Sequence, residues 1–174
     1  MPDTLFTGTA DRIAGLRAEL DARGLDAFIL PRFDAHQGEY VAPHDQRLAY
    51  VTGFTGSAGM AVVTRDTVAV FVDGRYSVQL GNECAGPLFS HHHLFDAPPE
   101  DWLRRSAVAG WRVGYDAMHL PPAWHDRFAA ACAAAGAAWA ARAVATAPAT
   151  VRALIVVVIV VSSGDPMLVV GDLL

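Results

Sequence analysis

Lysine is missing from the chain, and all 13 of its basic residues are Arg. A phosphate loop of the GxxxxGK[ST] type and a Schiff-base lysine are therefore both excluded. Only two cysteines occur, Cys84 and Cys132, far apart and with no CxxC. Neither structural zinc through thiolates nor a disulfide framework has support, and a reducing, cytoplasmic setting is expected. Long apolar runs are also scarce: the longest, Ala153 to Val161, falls well short of the ~20 residues of a membrane-spanning helix. The first residues, with Asp3 and Asp11 among them, lack the apolar centre of a signal peptide. No run of like charge is long enough to track phosphates, and the net charge is -5. Nucleic acid and membrane are thus not expected as partners.

What is present is the material of a globular core. Of 174 residues, 53% are hydrophobic and only 18% charged, which argues against disorder. The length suits one domain, or one domain and the start of another, and burial of roughly 70% of the unfolded surface. Ile13, Leu16 and Leu20 recur at helical spacing, so a helix is predicted over about 10–23, with Thr9 able to cap it and Gly24 to close it. Ala27 to Leu30 reads as a strand stopped by Pro31, followed by a polar loop from Asp34 to Asp45. Met60–Thr64 and Val68–Val72, three residues apart, predict an antiparallel hairpin. Asp73-Gly74 ends it, and Arg75 to Asn82 has the composition of a helix.

Pro98-Pro99 followed by Glu100 and Asp101 opens a helix expected to run to about Gly110. Trp111–Tyr115 reads as a strand, and Pro121-Pro122 opens an Ala-rich helix that Gly136 terminates. The alternation predicts an α/β domain in which helices flank a mixed β-sheet. Leu154–Val161 and Met167–Val170, joined by Ser162–Pro166, form either a hairpin or, left uncovered, an aggregation-prone segment.

Candidate functional residues are few. Glycines 53, 56 and 59 allow positive φ or close backbone approach, but their spacing fits neither GxGxxG nor GxSxG, so a structural turn is the favoured reading. Arg75 follows a strand end and a glycine, which places a five-donor guanidinium at the rim where α/β domains bind ligands. The competing reading is an ion pair with Asp73 or Asp34 that pins the loop. Asp34, His36 and Tyr40 are weaker candidates, because short polar loops use such side chains to satisfy their own backbone. His91-His92-His93 invites a metal reading, yet consecutive strand residues alternate faces, so at most two share a side, and no nearby Cys or carboxylate completes a tetrahedral set. His119 and His125 read as surface residues, and no Ser, His and Asp have a spacing that supports a nucleophile.

Three segments taken in order, Asp34-Ala35-His36-Gln37-Gly38-Glu39-Tyr40, Gly53-Phe54-Thr55-Gly56-Ser57-Ala58-Gly59 and Asp73-Gly74-Arg75-Tyr76, resemble the amino-terminal domain of the aminopeptidase P family. That family carries DAHQSEY-like, GFTGSAG-like and TDGRYFLQA-like segments with similar spacing; Gly38 replaces the Ser here and Val72 the Thr. A weaker likeness continues through Asp101-Trp102-Leu103 and Val113-Gly114-Tyr115-Asp116 to about Ala143. A segment like NLVDxIWxDRP should then follow, whereas this chain runs into Thr146-Ala147-Pro148 and a Val-rich stretch.

The resemblance implies a creatinase/prolidase-type amino-terminal domain over residues 1–145, with 146–174 outside it, in an enzyme that releases a residue preceding proline. It implies that two divalent metals, typically manganese, sit among Asp, His and Glu ligands in a separate catalytic domain, and that this chain binds none. It assigns Arg75 a contact with the bound peptide and gives the domain a part in shaping the substrate pocket and in homo-oligomer assembly. By this reading the chain alone is inactive and truncated before the catalytic domain. A stand-alone peptide-binding or interaction module is the alternative, and a hydrolase using the His triplet and a metal is a remote third. Coding sequence beyond residue 174 distinguishes the first two, and metal content tests the third.

Overall fold

A computed structural model describes residues 8–141, 157–162 and 165–170. Helix α1 (Thr9–Ala22) buries Ile13, Leu16 and Leu20 along one stripe, as their spacing requires. Its N-cap is Gly8, with no side-chain cap, so Thr9 lies inside the helix. The chain turns at Gly24 (φ +62°) into β1 (Ala27–Pro31), every residue of which is buried. Pro31 is the last residue of the strand, one beyond the predicted end at Leu30. A helix absent from the sequence reading, α2 (Arg47–Thr52), follows a short 3-10 turn, Pro43–Asp45. Its six residues carry no capping side chain at Gln46, which left nothing to detect.

The expected hairpin of β2 (Gly59–Thr64) and β3 (Val68–Val72) forms, with Met60 opposite Phe71 and Val63 opposite Val68. A 3-10 turn over Gly74–Tyr76 leads into α3 (Ser77–Glu83), then β4 (Phe89–His93) and α4 (Pro99–Ser106). Helix α4 stops short of Gly110: Ala107 is already extended, and the chain turns back through Val108–Gly110 towards β5 (Arg112–Tyr115). Helix α5 (Pro122–Ala134) then returns to β6 (Ala138–Ala141), a strand hidden by its alanine-rich composition.

The six strands form one mixed sheet in the order β4-β3-β2-β1-β5-β6. Only β2 runs against its neighbours; β3–β4, β1–β5 and β5–β6 are parallel. Phe28 and Leu30 of β1 face a core with α1, α2 and α3, while Ala27 and Ile29 face another with α4 and α5. The sheet is therefore covered on both faces, which is why its central strands read as continuous apolar runs and not as alternation. The segments β7 (Val157–Ser162) and β8 (Asp165–Val170) pair antiparallel as a separate two-stranded sheet. The boundary at residues 145 and 146 and the link through Ser163 and Gly164 lie outside the described residues.

Phe128 is fully buried and stacks on Trp124 and Trp139, with ring centroids 6.0 and 5.7 Å away, so it ties α5 to the sheet. Phe128→Ala is expected to destabilise the fold by about 3–5 kcal/mol through lost burial and a residual cavity. Urea denaturation followed by far-UV circular dichroism measures it, and a loss below about 1 kcal/mol would contradict this packing.

Candidate functional site

Because β1, β3, β4 and β5 point the same way and β2 runs back, one edge of the sheet collects the segments after four strands and the segment before β2. The Asp34, Gly53–Gly59 and Asp73–Tyr76 segments, separated in sequence, all meet there. This is the edge at which α/β sheets bind ligands.

Arg75 is held by Asp73. The carboxylate accepts from the Arg75 backbone amide (3.0 Å), from Nε (3.1 and 3.2 Å) and from Nη2 (2.6 Å). The hydrogen bonds from Arg75 keep Asp73 below the usual carboxylate range, and Asp73 in turn raises Arg75. The arginine side chain remains 73% exposed while that of Asp73 is 14% exposed. The ion pair with Asp73, the competing reading, is therefore formed; exposed, it contributes little to stability and holds the guanidinium through Nε and Nη2, leaving Nη1 outside the pair. The Arg75 Cζ also stands 5.3 Å from the centre of the Tyr76 ring. Asp34 does not reach Arg75.

Asp34 instead shapes its own loop. Its Oδ1 accepts from the amides of His36 (3.0 Å) and Gly38 (2.9 Å), and these bonds, that from Gly38 foremost, lower its pKa. The backbone-satisfying role is thus what Asp34 performs. His36 is exposed and Tyr40 is 90% exposed.

The glycine-rich segment is a fastened turn. Gly53 uses its freedom directly, with φ +81° at the end of α2. Gly56 is needed for space: a Cβ there would lie 2.2 Å from the tip of Phe54 and 2.8 Å from Tyr76. Glu83 accepts from the Thr55 amide (2.9 Å) and hydroxyl (2.6 Å), which ties the turn to α3. Ser57 Oγ lies 2.5 Å from Tyr76 Oη, so the turn also touches the Arg75 segment.

The three histidines of β4 are each engaged. His91 Nε2 lies 2.9 Å from the Cys84 carbonyl, His92 stacks on Phe71 at 4.9 Å, and His93 Nδ1 lies 3.1 Å from Asp96. Among the described residues no group of three His, Cys, Asp or Glu side chains could hold a metal ion. The described residues therefore offer no ligand set for a metal pair. Both cysteines are buried thiols, and burial pushes Cys84 up to about 11 and Cys132 up to about 12.

The most deeply buried ion pair among the described residues was not foreseen. Arg47 of α2 donates from Nη1 to Asp116 Oδ2 at 2.7 Å, with side chains only 6% and 5% exposed. His119, read from sequence as a surface residue, is buried between Asp116 (3.2 Å) and Asp45 (3.2 Å). His125 is partly exposed and packs edge-on against Tyr115, 5.3 Å between centroids. Burial alone would raise the Asp116 pKa; the His119 hydrogen bond, the Arg47 charge and the Met118 amide outweigh it and hold it at about 2. The group clamps α2 to the loop after β5. Asp116 lies in a segment that the resemblance marked, whereas Arg47 carried no signal.

A small pocket of about 110 Å³ opens beside the turn, lined by Arg32, Phe33, Ser57, Met60, Leu94 and Trp124, with Ala58 and Gly59.

The architecture and this edge define an amino-terminal domain of the creatinase and prolidase type, and comparison with known proteins agrees. The family profile described as Creatinase/Prolidase N-terminal domain matches residues 12–146. The chain belongs to this family. It is 40% identical over 120 residues to Xaa-Pro aminopeptidase 2 of Homo sapiens, covering 69% of this chain and 18% of that protein. The X-prolyl aminopeptidase of Caenorhabditis elegans, described as a cytosolic enzyme with a di-nuclear active site, superposes with a TM-score of 0.75. The identity there is 25%, over 86% of this chain and 27% of the other. The N-terminal domain of the cytoplasmic peptidase PepQ from Mycobacterium tuberculosis shares the fold, with a TM-score of 0.59 and 23% identity over 78% of this chain and 94% of the other. The chain is thus similar to the N-terminal domains of Xaa-Pro aminopeptidases and spans about a fifth of the length of such relatives.

Asp116→Ala leaves the Arg47 charge buried without its partner and is expected to cost about 3–5 kcal/mol. The folded pKa of Asp116 lies below its ordinary value of 3.8, so its contribution is present above that value and is lost as pH falls through about 2. Urea titrations at several pH values check both effects: the variant should lose part of the acid dependence seen between about pH 4 and 2.

Proposed function

We propose that the chain serves as the non-catalytic amino-terminal domain of an Xaa-Pro aminopeptidase, where it shapes the substrate pocket and supports assembly. In this reading Arg75 reaches a peptide with proline in second position, bound in the catalytic region that accompanies this domain. What carries the reading is the convergence of three family segments on one sheet edge, with Arg75 presented there by Asp73. The two divalent metals, manganese by family resemblance, would supply an activated water within that catalytic region, and this chain would contribute no ligand to them. Its own residues would bind and orient: Asp73 holds the guanidinium plane, and Tyr76 and the Ser57 turn support it from one side. A cytoplasmic, homo-oligomeric enzyme is part of the same proposal.

The test is Arg75→Ala in the full-length enzyme. A fall in kcat/KM of about 10- to 150-fold on an Xaa-Pro peptide is expected, the size of a lost charge-assisted hydrogen bond. Unchanged kinetics in a folded variant would remove Arg75 from the substrate site.

A further inference from the structure

The pocket beside the glycine-rich turn is formed wholly by residues of this chain and is not engaged by the Arg75–Asp73 pair. Its volume of about 110 Å³ is well above the ~10–15 Å³ that admits a single water. Phe33, Met60, Leu94 and Trp124 give it apolar walls. Met60 is fully buried and Ser57 is exposed, so the two mark its inner and outer ends. Trp124 is a firm wall: Phe128 stacks on it at 6.0 Å, and the Arg127 guanidinium lies 4.3 Å from its ring centre.

The polar complement is Arg32. Its guanidinium makes one long hydrogen bond, from Nη1 to the Glu39 carbonyl at 3.3 Å, and among the described residues it forms no ion pair. Arg47, Arg75 and Arg127, by contrast, are each paired with a carboxylate. A planar fork of donors without a carboxylate, set beside an apolar pocket, matches a ligand with an anionic group next to an apolar body.

We propose that this pocket binds the carboxy-terminal residue of a peptide, its apolar side chain against Met60 and Trp124 and its α-carboxylate on Arg32. The site does not depend on Arg75 reaching a substrate elsewhere, and either assignment can fail without the other.

The test is a proton–nitrogen NMR titration of the 174-residue chain with N-acetyl-leucine, N-acetyl-leucinamide and acetate. Saturable shifts of the Gly59 amide and the Trp124 indole are expected with N-acetyl-leucine. Affinity for the amide and for acetate should be at least about tenfold weaker, since each lacks one half of the recognition. Arg32→Gln should lower the affinity for the carboxylate to that for the amide, and Ala58→Phe should abolish both while the remaining spectrum is retained. Arg32→Lys, which keeps the charge but not the planar fork, serves if the Gln variant does not fold, and it too should weaken binding. Equal affinity for carboxylate and amide, or Arg32 variants without effect, would overturn the anion assignment. Shifts confined to Arg75 and Tyr76, or no saturable shift, would overturn the pocket itself.

Discussion

Strand β1 bears the weight of this architecture. All five of its residues are buried, with Phe28 and Leu30 packed on one face and Ala27 and Ile29 on the other. It pairs antiparallel with β2 and parallel with β5, so it sets the direction of both halves of the sheet. Once β1 is fixed, the Asp34 loop, the turn before β2, the Arg75 segment after β3 and the Asp116 loop after β5 share one edge. Stability comes from the two-sided core, and the edge is free to carry polar side chains.

That edge holds two kinds of charge with different physics. Arg47 and Asp116 are withdrawn from water, and neither would be tolerated alone, so each exists because the other is within hydrogen-bond reach. His119 between Asp116 and Asp45 extends the group and fastens the 3-10 turn as well. Arg75 and Asp73 sit at the surface, where a pair of the same nominal type adds little to folding. Its effect is geometric: a long side chain is held in one orientation by the Asp73 carboxylate.

The glycine-rich turn connects these features. Fastened to α3 through Glu83 and to Tyr76 through Ser57, it is stiff for a loop, and the absence of a side chain at Gly56 lets Phe54 and Tyr76 meet edge-on at 5.8 Å. One flank of the turn supports the Arg75 segment and the other lines the small pocket next to Arg32. The domain thus presents two guanidinium groups near one rigid element, one paired with a carboxylate and one not.

The local pattern of residues was enough for the α/β class, the β2–β3 hairpin, the helices opened by Pro99 and Pro122, and the order of the three family segments, because each rests on neighbours in the chain. It was also enough to give Asp34 a role within its own loop. It could not reveal α2, whose six residues lack a cap, or β6, whose alanines have little intrinsic preference for a strand. Nor could it show that His119 is buried or that Arg47 finds Asp116, 69 residues away. Those are consequences of which strands become neighbours, and that order joins residues too far apart in the chain for local pattern to record. Tertiary structure alone decided which side chains lost their water, and therefore which charges had to be paired.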